Sequence, residues 1–338
     1  MNDGFLWISE QEIVSLLDLE EGIEALEKGL LAEAAGEAQN MVKTHVAWEG
    51  ATLHAIGATF AREGFAGTKT WAHTAGGATP LLILFDSGNG ALRAVLEAFA
   101  LGQMRTAAAS AVATRWMAVE NANELALLGA GKQAMAQAAA IMAVRPIRRV
   151  RLFGRHPERR AQLAARLSKE LRVEVTEADS VAEAVRGAPI ITAVTRAAEP
   201  ILFSEMVSSG AHINAVGAIV PEKAEVAAAV LERCGQIVAD SVPAAQKLSR
   251  ELREYGQSDP GRWDRVQPLA QLVSARRPRP AGADLTLFKS LGTGISDLSL
   301  GIELYRRALR LGVGQRLPHP HKAAPRWGAA KSLSTPGD

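Results

Sequence analysis

The stretch LALLGAGKQA, residues 125–134, is the part of the sequence that decides the fold. Its four leading apolar residues predict a short buried strand, and Gly129, Gly131 and Ala134 follow in the pattern G-x-G-x-x-A. The first glycine permits a tight turn, the second lets the backbone approach a pyrophosphate, and the small alanine allows close packing of helix on strand. The start of the helix adds the positive end of its dipole, so we predict a dinucleotide site here. Its residues are Gly129, Gly131, Lys132, Gln133 and Ala134. An ordinary glycine-rich turn in an unrelated α/β domain would carry the same letters.

Short apolar strands alternate with helices after this motif. The predicted helices are Met135–Val144 and Glu158–Leu171, and the predicted strands are Val150–Phe153, Ile190–Val194, Ile213–Val216 and Ile237–Ala239. Such alternation indicates right-handed crossovers and a parallel sheet that is covered on both faces.

The regions before and after these alternating strands and helices have a different spacing of apolar residues. Residues 13–30 have helical apolar spacing, residues 43–85 consist of short strands broken by glycine, and Gln103–Val119 is an alanine-rich helix. Residues 249–283 are polar and predicted to be rich in loops, and a helix from about Ile295 to Arg310 returns to the first region. We therefore predict a discontinuous domain, residues 1–120 plus 293–320, with residues 121–292 inserted in it. Residues 321–338 lack periodicity and are predicted to be a mobile tail.

Composition excludes several classes of protein. The 338 residues include 38 Lys and Arg against 36 Asp and Glu, and this balance argues against a nucleic-acid partner. The single cysteine, Cys234, excludes an intrachain disulfide and a cysteine-cluster metal site. His45, His54 and His73 have no ligand spacing with carboxylates, so we predict no metal site.

The sequence also predicts no contact with a membrane. Met1–Glu10 lacks the basic region of a secretory signal, and the most apolar window of twenty residues, 125–144, contains Lys132, Gln133 and Gln137. We therefore expect a cytoplasmic protein.

The residues after the second predicted strand bear on the choice of cofactor. An NAD site usually has an acidic residue there for the ribose hydroxyls, whereas this chain reads Phe153-Gly154-Arg155-His156, with Arg159 following. Two arginines and a histidine suit a 2′-phosphate, so NADP(H) is the preferred cofactor and NAD(H) a possible one. Alternatively, the arginines only solvate the start of a helix.

Several motifs, in order, resemble those of the ornithine cyclodeaminase/mu-crystallin family. Besides the glycine motif they are Gly67-Thr-Lys69, Arg105-Thr-Ala-Ala-Ala-Ser110, Gly210-Ala-His-Ile-Asn-Ala-Val-Gly217, Ile237-Val-Ala-Asp240 and Thr286-Leu-Phe-Lys-Ser-Leu-Gly292 with Asp297 beyond it. The resemblance covers about residues 5–312. It implies an α/β protein with a Rossmann-type doubly wound parallel sheet domain inserted in a discontinuous α+β domain that binds substrate and forms a homodimer. Family members include cyclodeaminases, amino-acid dehydrogenases and imine reductases.

The resemblance also assigns roles to individual residues. It implies that Lys69 and Arg105 are catalytic and bind the substrate carboxylate, with Lys43 as a third cation. Lys69 is the expected proton relay to the substrate nitrogen, which requires that burial or neighbouring cations lower its pKa. Arg105 falls in the first turn of the predicted helix, where a cation opposes the helix dipole. Further cofactor contacts implied by the resemblance are Thr192, Thr195, Val216, Gly217, Ser290 and Gly292. His212, in the middle of a strand, is better interpreted as structural.

One departure from the family decides between activities. Ornithine cyclodeaminases have a catalytic aspartate where this chain has Ile219, which can neither accept a proton nor hold a water. We therefore predict an NAD(P)H-dependent reductase of a small imine that yields an L-amino acid. Two alternatives stay open: a cyclodeaminase that acts despite Ile219, and a non-catalytic protein that binds NADP(H) and a small ligand.

Overall fold

The structure is a computed structural model, and it describes residues 4–325 and residue 327. Apart from 321–325 and 327, the tail predicted to be mobile lies outside the described residues. Among those described, no helix combines the length and the apolar character that a membrane crossing requires.

The strands and helices follow the predicted alternation. The strands are β1 (Phe5–Ile8), β2 (Ala38–Asn40), β3 (Thr44–Trp48), β4 (Ala51–Phe60), β5 (Phe65–Thr74), β6 (Gly77–Ala78), β7 (Leu81–Asp86), β8 (Leu92–Glu97), β9 (Glu124–Leu128), β10 (Arg149–Phe153), β11 (Glu174–Glu177), β12 (Ile190–Ala193), β13 (His212–Ala215), β14 (Cys234–Ala239), β15 (Val266–Pro268), β16 (Leu285–Lys289) and β17 (Gln315–Leu317). The helices are α1 (Glu10–Leu16), α2 (Leu19–Ala34), α3 (Phe99–Met117), α4 (Ala134–Val144), α5 (Pro157–Leu171), α6 (Val181–Val185), α7 (Ala228–Glu232), α8 (Val242–Leu248), α9 (Arg250–Gln257), α10 (Leu269–Ala275) and α11 (Gly294–Leu311).

The second sheet has the predicted doubly wound form. Its strand order is β11-β10-β9-β12-β13-β16-β14-β15, and every pairing within it is parallel. The chain reverses its winding direction between β9 and β12, which is where α/β sheets of this kind bind their ligands. All the strand ends that bear predicted cofactor residues therefore meet at one edge of the sheet. The predicted fold class is confirmed.

The first sheet contains residues from both ends of the chain. Its order is β17-β1-β8-β7-β5-β4-β2, with β3 and β6 attached to β4 and β5. Helix α11 packs on α2, α3 and β4, and β17 pairs antiparallel with β1. The chain thus leaves this layer after α3, builds the second sheet and returns through α11, which is the predicted discontinuous arrangement.

Two predictions about elements are wrong. Helix α3 begins at Phe99 instead of Gln103, so Arg105 lies in the second turn and not in the first. The first turn of α3 has no local side-chain cap; the carboxylate of Glu10, on α1, accepts hydrogen bonds from Phe99 N and Ala100 N. Residues 249–283 are not mainly loop, because they form α9, β15 and α10. Leu269, Leu272 and Val273 of α10 are buried against the first domain, so packing across the molecule stabilises a segment that looks irregular in sequence.

A buried polar seam joins α3 to the second sheet. Asn214 Nδ2 donates to Thr114 Oγ1 at 3.0 Å and to Thr192 Oγ1 at 3.3 Å, and its Oδ1 lies 3.2 Å from His212 Nε2. The other ring nitrogen of His212 lies 3.0 Å from Thr286 Oγ1, which donates to the carbonyl of Met117 on α3. The seam therefore connects the helix that bears Arg105 to three adjacent strands.

Candidate active site

The two predicted catalytic cations share one buried carboxylate. Lys69 lies in the middle of β5 and is 4% exposed, and Arg105 reaches it from α3. Lys69 Nζ donates a hydrogen bond to Oδ1 of Asp297, in the first turn of α11, and Arg105 Nε lies 3.2 Å from the same oxygen. Asp297 is fully buried. Three elements distant in sequence thus bring Lys69, Arg105 and Asp297 together.

The surroundings of Lys69 give it the property that a proton relay needs. The pKa of Lys69 is lowered to about 8: burial is the largest cause, Arg105 and Lys43 act in the same direction, and Asp297 opposes them. The ammonium also lies 5.3 Å from the centre of the Trp71 ring. At neutral pH such a lysine can both donate and recover a proton.

The third predicted cation lies at a loop that leads into this cluster. Residues 290–293 connect β16 to α11, and Lys43 Nζ donates to the carbonyl of Leu291 at 3.5 Å. Asp240 fixes the loop, because its carboxylate accepts from Ser290 Oγ at 3.1 Å and from the backbone N–H groups of Leu291 and Gly292 at 2.8 Å. Burial raises the pKa of Asp240, whereas these donors lower it.

Gly292 is required by the approach of Arg105 to this loop. Its φ is +83°, and a Cβ atom here would lie 2.5 Å from Arg105 Nη1. Ser290 N donates to the carbonyl of Ala215 at the end of β13. The loop therefore touches the cation cluster on one side and the cofactor edge of the sheet on the other.

The glycine motif forms an open cradle at that edge. Gly129 has a φ of +120°, and a Cβ atom on it would approach the carbonyl oxygen of Val194 to 2.8 Å. A Cβ on Gly131 would meet nothing within 4 Å, and Gln133, at the start of α4, makes no side-chain capping bond. The start of helix α4 and the open space over Gly131 fit a dinucleotide pyrophosphate.

A buried glutamate fixes the neighbouring strand ends. Glu225 accepts from Thr195 N at 2.5 Å, Thr195 Oγ1 at 2.8 Å, Gly217 N at 2.6 Å and Ala218 N at 3.1 Å. Burial raises the pKa of Glu225. Behind it, Lys289 Nζ donates to the carbonyl of Ala218 at 2.6 Å and pairs with Glu251 at 3.1 Å.

Sequence reasoning missed the roles of Asp297, Asp240 and Glu225. Asp240 and Asp297 belong to motifs that were recognised, but nothing local shows which donors they meet. Glu225 stands in none of the motifs that the sequence analysis singled out. Their partners lie far away in sequence, so only the tertiary structure reveals them.

Two of the predicted cofactor contacts, Thr192 and Val216, lie in β12 and directly after β13. Both are buried, and the hydroxyl of Thr192 faces Asn214 within the seam. His212 is fully buried beside it with a pKa lowered by burial to about 3, which suits the structural role we expected. Ile219 is 39% exposed on the loop after β13.

The residues predicted to read the 2′-phosphate lie on the surface. Arg155, His156 and Arg159 follow β10 and are exposed, and within the described residues neither arginine forms a salt bridge. The adjacent Arg160 pairs with Glu177 at 2.9 Å and Asp179 at 3.2 Å. Lys132 Nζ lies 5.5 Å from the centre of the Phe99 ring. Among residues 4–325 and 327, no three His, Cys, Asp or Glu side chains are grouped to hold a metal ion.

Related sequences have reductase activities. The chain is 33% identical over 239 residues to a Delta(1)-pyrroline-2-carboxylate reductase of Bacillus cereus, a match that covers 70% of this chain and 73% of the relative. It is 37% identical over 217 residues to the ketimine reductase mu-crystallin of Rattus norvegicus, covering 64% of this chain and 66% of the relative.

Similar solved structures bind nicotinamide cofactors. The Delta(1)-pyrroline-2-carboxylate reductase of Thermococcus litoralis, in complex with NADH and L-proline, matches with a TM-score of 0.87 and 26% identity, over 93% of this chain and 100% of that chain. An archaeal alanine dehydrogenase dimer with bound NAD matches with a TM-score of 0.86 and 25% identity, over 93% and 98%.

A family model covers almost all of the chain. The model of the ornithine cyclodeaminase/mu-crystallin family matches residues 6–311, a range that includes the cation cluster, the cradle and the loop between them. The motifs that suggested this resemblance are the ones that build the site. The chain belongs to the ornithine cyclodeaminase/mu-crystallin family.

Proposed function

We propose that this protein is an NAD(P)H-dependent reductase that converts a small imine to an L-amino acid. The imine is a ketimine, a cyclic imino acid or the adduct of a 2-oxo acid and an amine. The observation that carries the proposal is the cluster of Lys69, Arg105 and Asp297, which touches the same loop as the cofactor edge. The reductase activities of the Bacillus and Rattus relatives support it.

The charges in the cluster suit a substrate with one carboxylate. Lys43, Lys69 and Arg105 meet Asp240 and Asp297, so one formal positive charge is left to bind an anion. Arg105 offers a fork that matches a carboxylate, whereas Lys43 offers a single point charge. We assign carboxylate binding to Arg105 and Lys43.

Lys69 is the proton donor in this proposal. A bound nicotinamide supplies the hydride that the imine carbon receives. Lys69 protonates the imine nitrogen from its ammonium form, which is retained at neutral pH because its pKa is about 8. Arg105 and Lys43 fix the carboxylate, and this fixed orientation lowers the barrier further.

We further propose that NADP(H) is preferred over NAD(H). The support comes from Arg155, His156 and Arg159, which are exposed beside the cradle and have no carboxylate among the four residues that directly follow β10. Gly154, directly after the strand, is buried, and a Cβ atom on it would lie 3.1 Å from the Cβ of Ala130. NAD(H) stays possible, since the similar Thermococcus and archaeal enzymes bind NADH and NAD.

A homodimer and a cytoplasmic location complete the proposal. Residues 1–120 and 293–320 would bind substrate and form the dimer, and residues 121–292 would bind the cofactor. The apolar side chains of Val42, Val46, Trp48 and Leu53 are exposed on and around the β3–β4 hairpin and offer a surface for a second copy. Sedimentation should then give twice the protomer mass of 35.8 kDa. The single, buried Cys234 is compatible with a reducing compartment.

The test is a substrate screen with purified protein. We expect oxidation of NADPH, read by its absorbance, with pyrroline-2-carboxylate or with pyruvate plus an amine. Release of ammonia from ornithine with only catalytic cofactor would instead show a cyclodeaminase. Tight cofactor binding without turnover across the whole panel would show a binding protein.

The variant Lys69→Ala tests the assigned proton donor. We expect turnover to be abolished while the affinity for NADPH, measured by fluorescence titration, stays the same, because Lys69 lies in the cation cluster and not at the cradle. Retained turnover would remove Lys69 from the mechanism.

A further inference from the structure

Asp297 is a buried carboxylate to which the proposed reaction gives no task. Its Oδ1 accepts from Lys69 Nζ and lies 3.2 Å from Arg105 Nε, and its Oδ2 has no hydrogen-bond partner within the described residues. A buried charge is costly unless it is paired, and here both paired groups are the assigned catalytic cations. Its contacts therefore point to a function at the cluster and not to general stability.

The backbone around Asp297 keeps this carboxylate in a fixed place. Asp297 occupies the first turn of α11, an 18-residue helix whose dipole favours negative charge at that end. Thr293 caps the helix by accepting from Ser296 N at 3.2 Å. Asn40, on β2, adds a second tie, because its Oδ1 accepts from Ile295 N at 2.9 Å.

We propose that Asp297 is a positioning residue that holds Lys69 as the proton donor and aims Arg105 at the substrate carboxylate. One carboxylate oxygen touches both cations, so it sets the distance between the group that protonates the imine nitrogen and the group that binds the carboxylate. These two positions are separated by one carbon in an α-imino acid. The inference rests on the proposed function.

The charges around Lys69 predict how the loss of Asp297 would change the pKa of Lys69. Asp297 faces it from α11, Arg105 from α3 and Lys43 from the segment before β3, whereas β4 and β7 place Ile56 and Leu82 beside it. Asp297 is the one anion in this set. Its removal leaves two cations and an apolar surround, all of which disfavour the ammonium form.

The first experiment compares Asp297→Asn with the wild-type enzyme in imine reduction. Reduction needs the lysine ammonium, so activity falls as the pH rises through the pKa of Lys69. We expect this alkaline limb to move at least about one unit to lower pH in the variant. We also expect kcat to fall roughly tenfold or more, with unchanged affinity for NADPH.

Ser299→Ala is the matched control on the same helix. Ser299 is buried and its hydroxyl donates to the carbonyl of Ile295, away from the cations. This variant should keep the wild-type pH profile. If Asp297→Asn loses activity with the alkaline limb unmoved, Asp297 has only a structural role and the proposal fails.

A second measurement does not depend on turnover. The ¹³Cε signal of Lys69, in lysine-labelled protein and identified by its absence in Lys69→Met, reports the ionisation of Lys69 directly. We expect its midpoint near pH 8 in the wild type and lower in Asp297→Asn. An equal midpoint in the two proteins would overturn the proposal.

The two readouts separate failure of this inference from failure of the proposed function. A wild-type protein that reduces no imine would refute the function, while the lysine signal would still decide whether Asp297 holds Lys69 charged. Asp297→Ser removes the same charge with a smaller side chain and replaces Asp297→Asn if near-ultraviolet circular dichroism shows that the amide variant is unfolded.

Discussion

Arg155, Arg159 and Arg160 are neighbours in sequence with very different surroundings. Arg160 is engaged by Glu177 and Asp179, whereas Arg155 and Arg159 have no acidic partner among the described residues. Exposed arginines without partners keep all their N–H groups for a ligand, and a phosphate is the group that such a pair binds best. In the proposed NADP(H) complex, Arg155 and Arg159 would contact the adenosine end of the dinucleotide.

Replacing Arg155 and Arg159 with serine should therefore change the choice of cofactor. We expect the KM for NADPH to rise at least about tenfold, since each lost charge-assisted bond is worth about 1.5–3 kcal/mol. The KM for NADH should change little. The measurement is steady-state kinetics with each cofactor at saturating imine.

Arg166→Ser serves as the control for this prediction. Arg166 is an exposed arginine of α5 that pairs with Glu170, four residues further along the helix. The Arg166→Ser variant should leave the KM for NADPH and the KM for NADH unchanged. An equal rise for NADPH and NADH in the double variant would mean that the two arginines do not read the 2′-phosphate.

For individual residues, the sequence could predict the cationic side chains of the site but not which carboxylates hold them. Lys69 and Arg105 stand in motifs of the family, so their types and positions were recognisable. Asp297 lies 228 residues from Lys69, and Asp240 meets a loop about 50 residues away. A carboxylate carries no local mark of its partner, because hydrogen bonding to a distant donor is decided by the fold.

A single side chain, that of Glu225, holds the two loops that follow β12 and β13. Glu225 accepts from backbone N–H groups of both loops, so the two strand ends that face the cofactor share one anchor. Gly217 must lack a side chain here, since a Cβ atom would lie 2.1 Å from the carbonyl oxygen of Thr195. The pair of loops is held close by this arrangement.

Glu225→Gln should loosen both loops. A glutamine offers one oxygen, so at least one set of backbone donors would face an amide N–H, and each unsatisfied buried donor costs about 1–3 kcal/mol. We expect a lower Tm and a KM for the cofactor that rises severalfold. Calorimetry and kinetics check the two effects.

Glu222→Gln is the control in the same segment. Glu222 is exposed, and the same change there should alter neither quantity. Normal cofactor KM values in Glu225→Gln would show that the loops hold their places without this anchor.

A helix or strand was predictable from the sequence where its own residues carry the apolar pattern. Five of the eight strands of the second sheet and helix α11 were located to within a few residues, because each has its own apolar run; the five strands are β9, β10, β12, β13 and β14. The start of α3 was not, since Glu10, on a different helix, caps it. Helix α10 was not either, because its stability comes from burial against α2 in another part of the chain.

For the molecule as a whole, the polar seam makes stability depend on pH. Burial lowers the pKa of His212 from 6.5 to about 3, so the folded protein keeps this ring neutral while the unfolded chain takes up a proton. The unfolded state binds more protons below pH 6.5, and stability therefore falls as the pH falls. Above pH 6.5 the ring is neutral in both states and has no such effect.

We expect His212 to contribute a loss of about 1.4 kcal/mol of unfolding free energy per pH unit between pH 6 and pH 4. Urea unfolding at several pH values measures it, with His212→Gln as the variant that lacks the titrating ring. The difference in unfolding free energy between wild type and variant should have this slope. His321→Gln, an exposed histidine, should keep the wild-type dependence, and a zero slope in the difference would contradict the prediction.

The seam has a further consequence, for motion. If α3 were separated from β13, the buried hydrogen bond between Asn214 and Thr114 would break, and both groups would be left without partners. A hinged opening between the two domains is therefore energetically expensive. We expect the site formed by the cation cluster and the cradle to be preformed, with substrate entering and product leaving past surface loops. Turnover in such an enzyme is limited by bond making or by release, and not by the closing of one domain on the other.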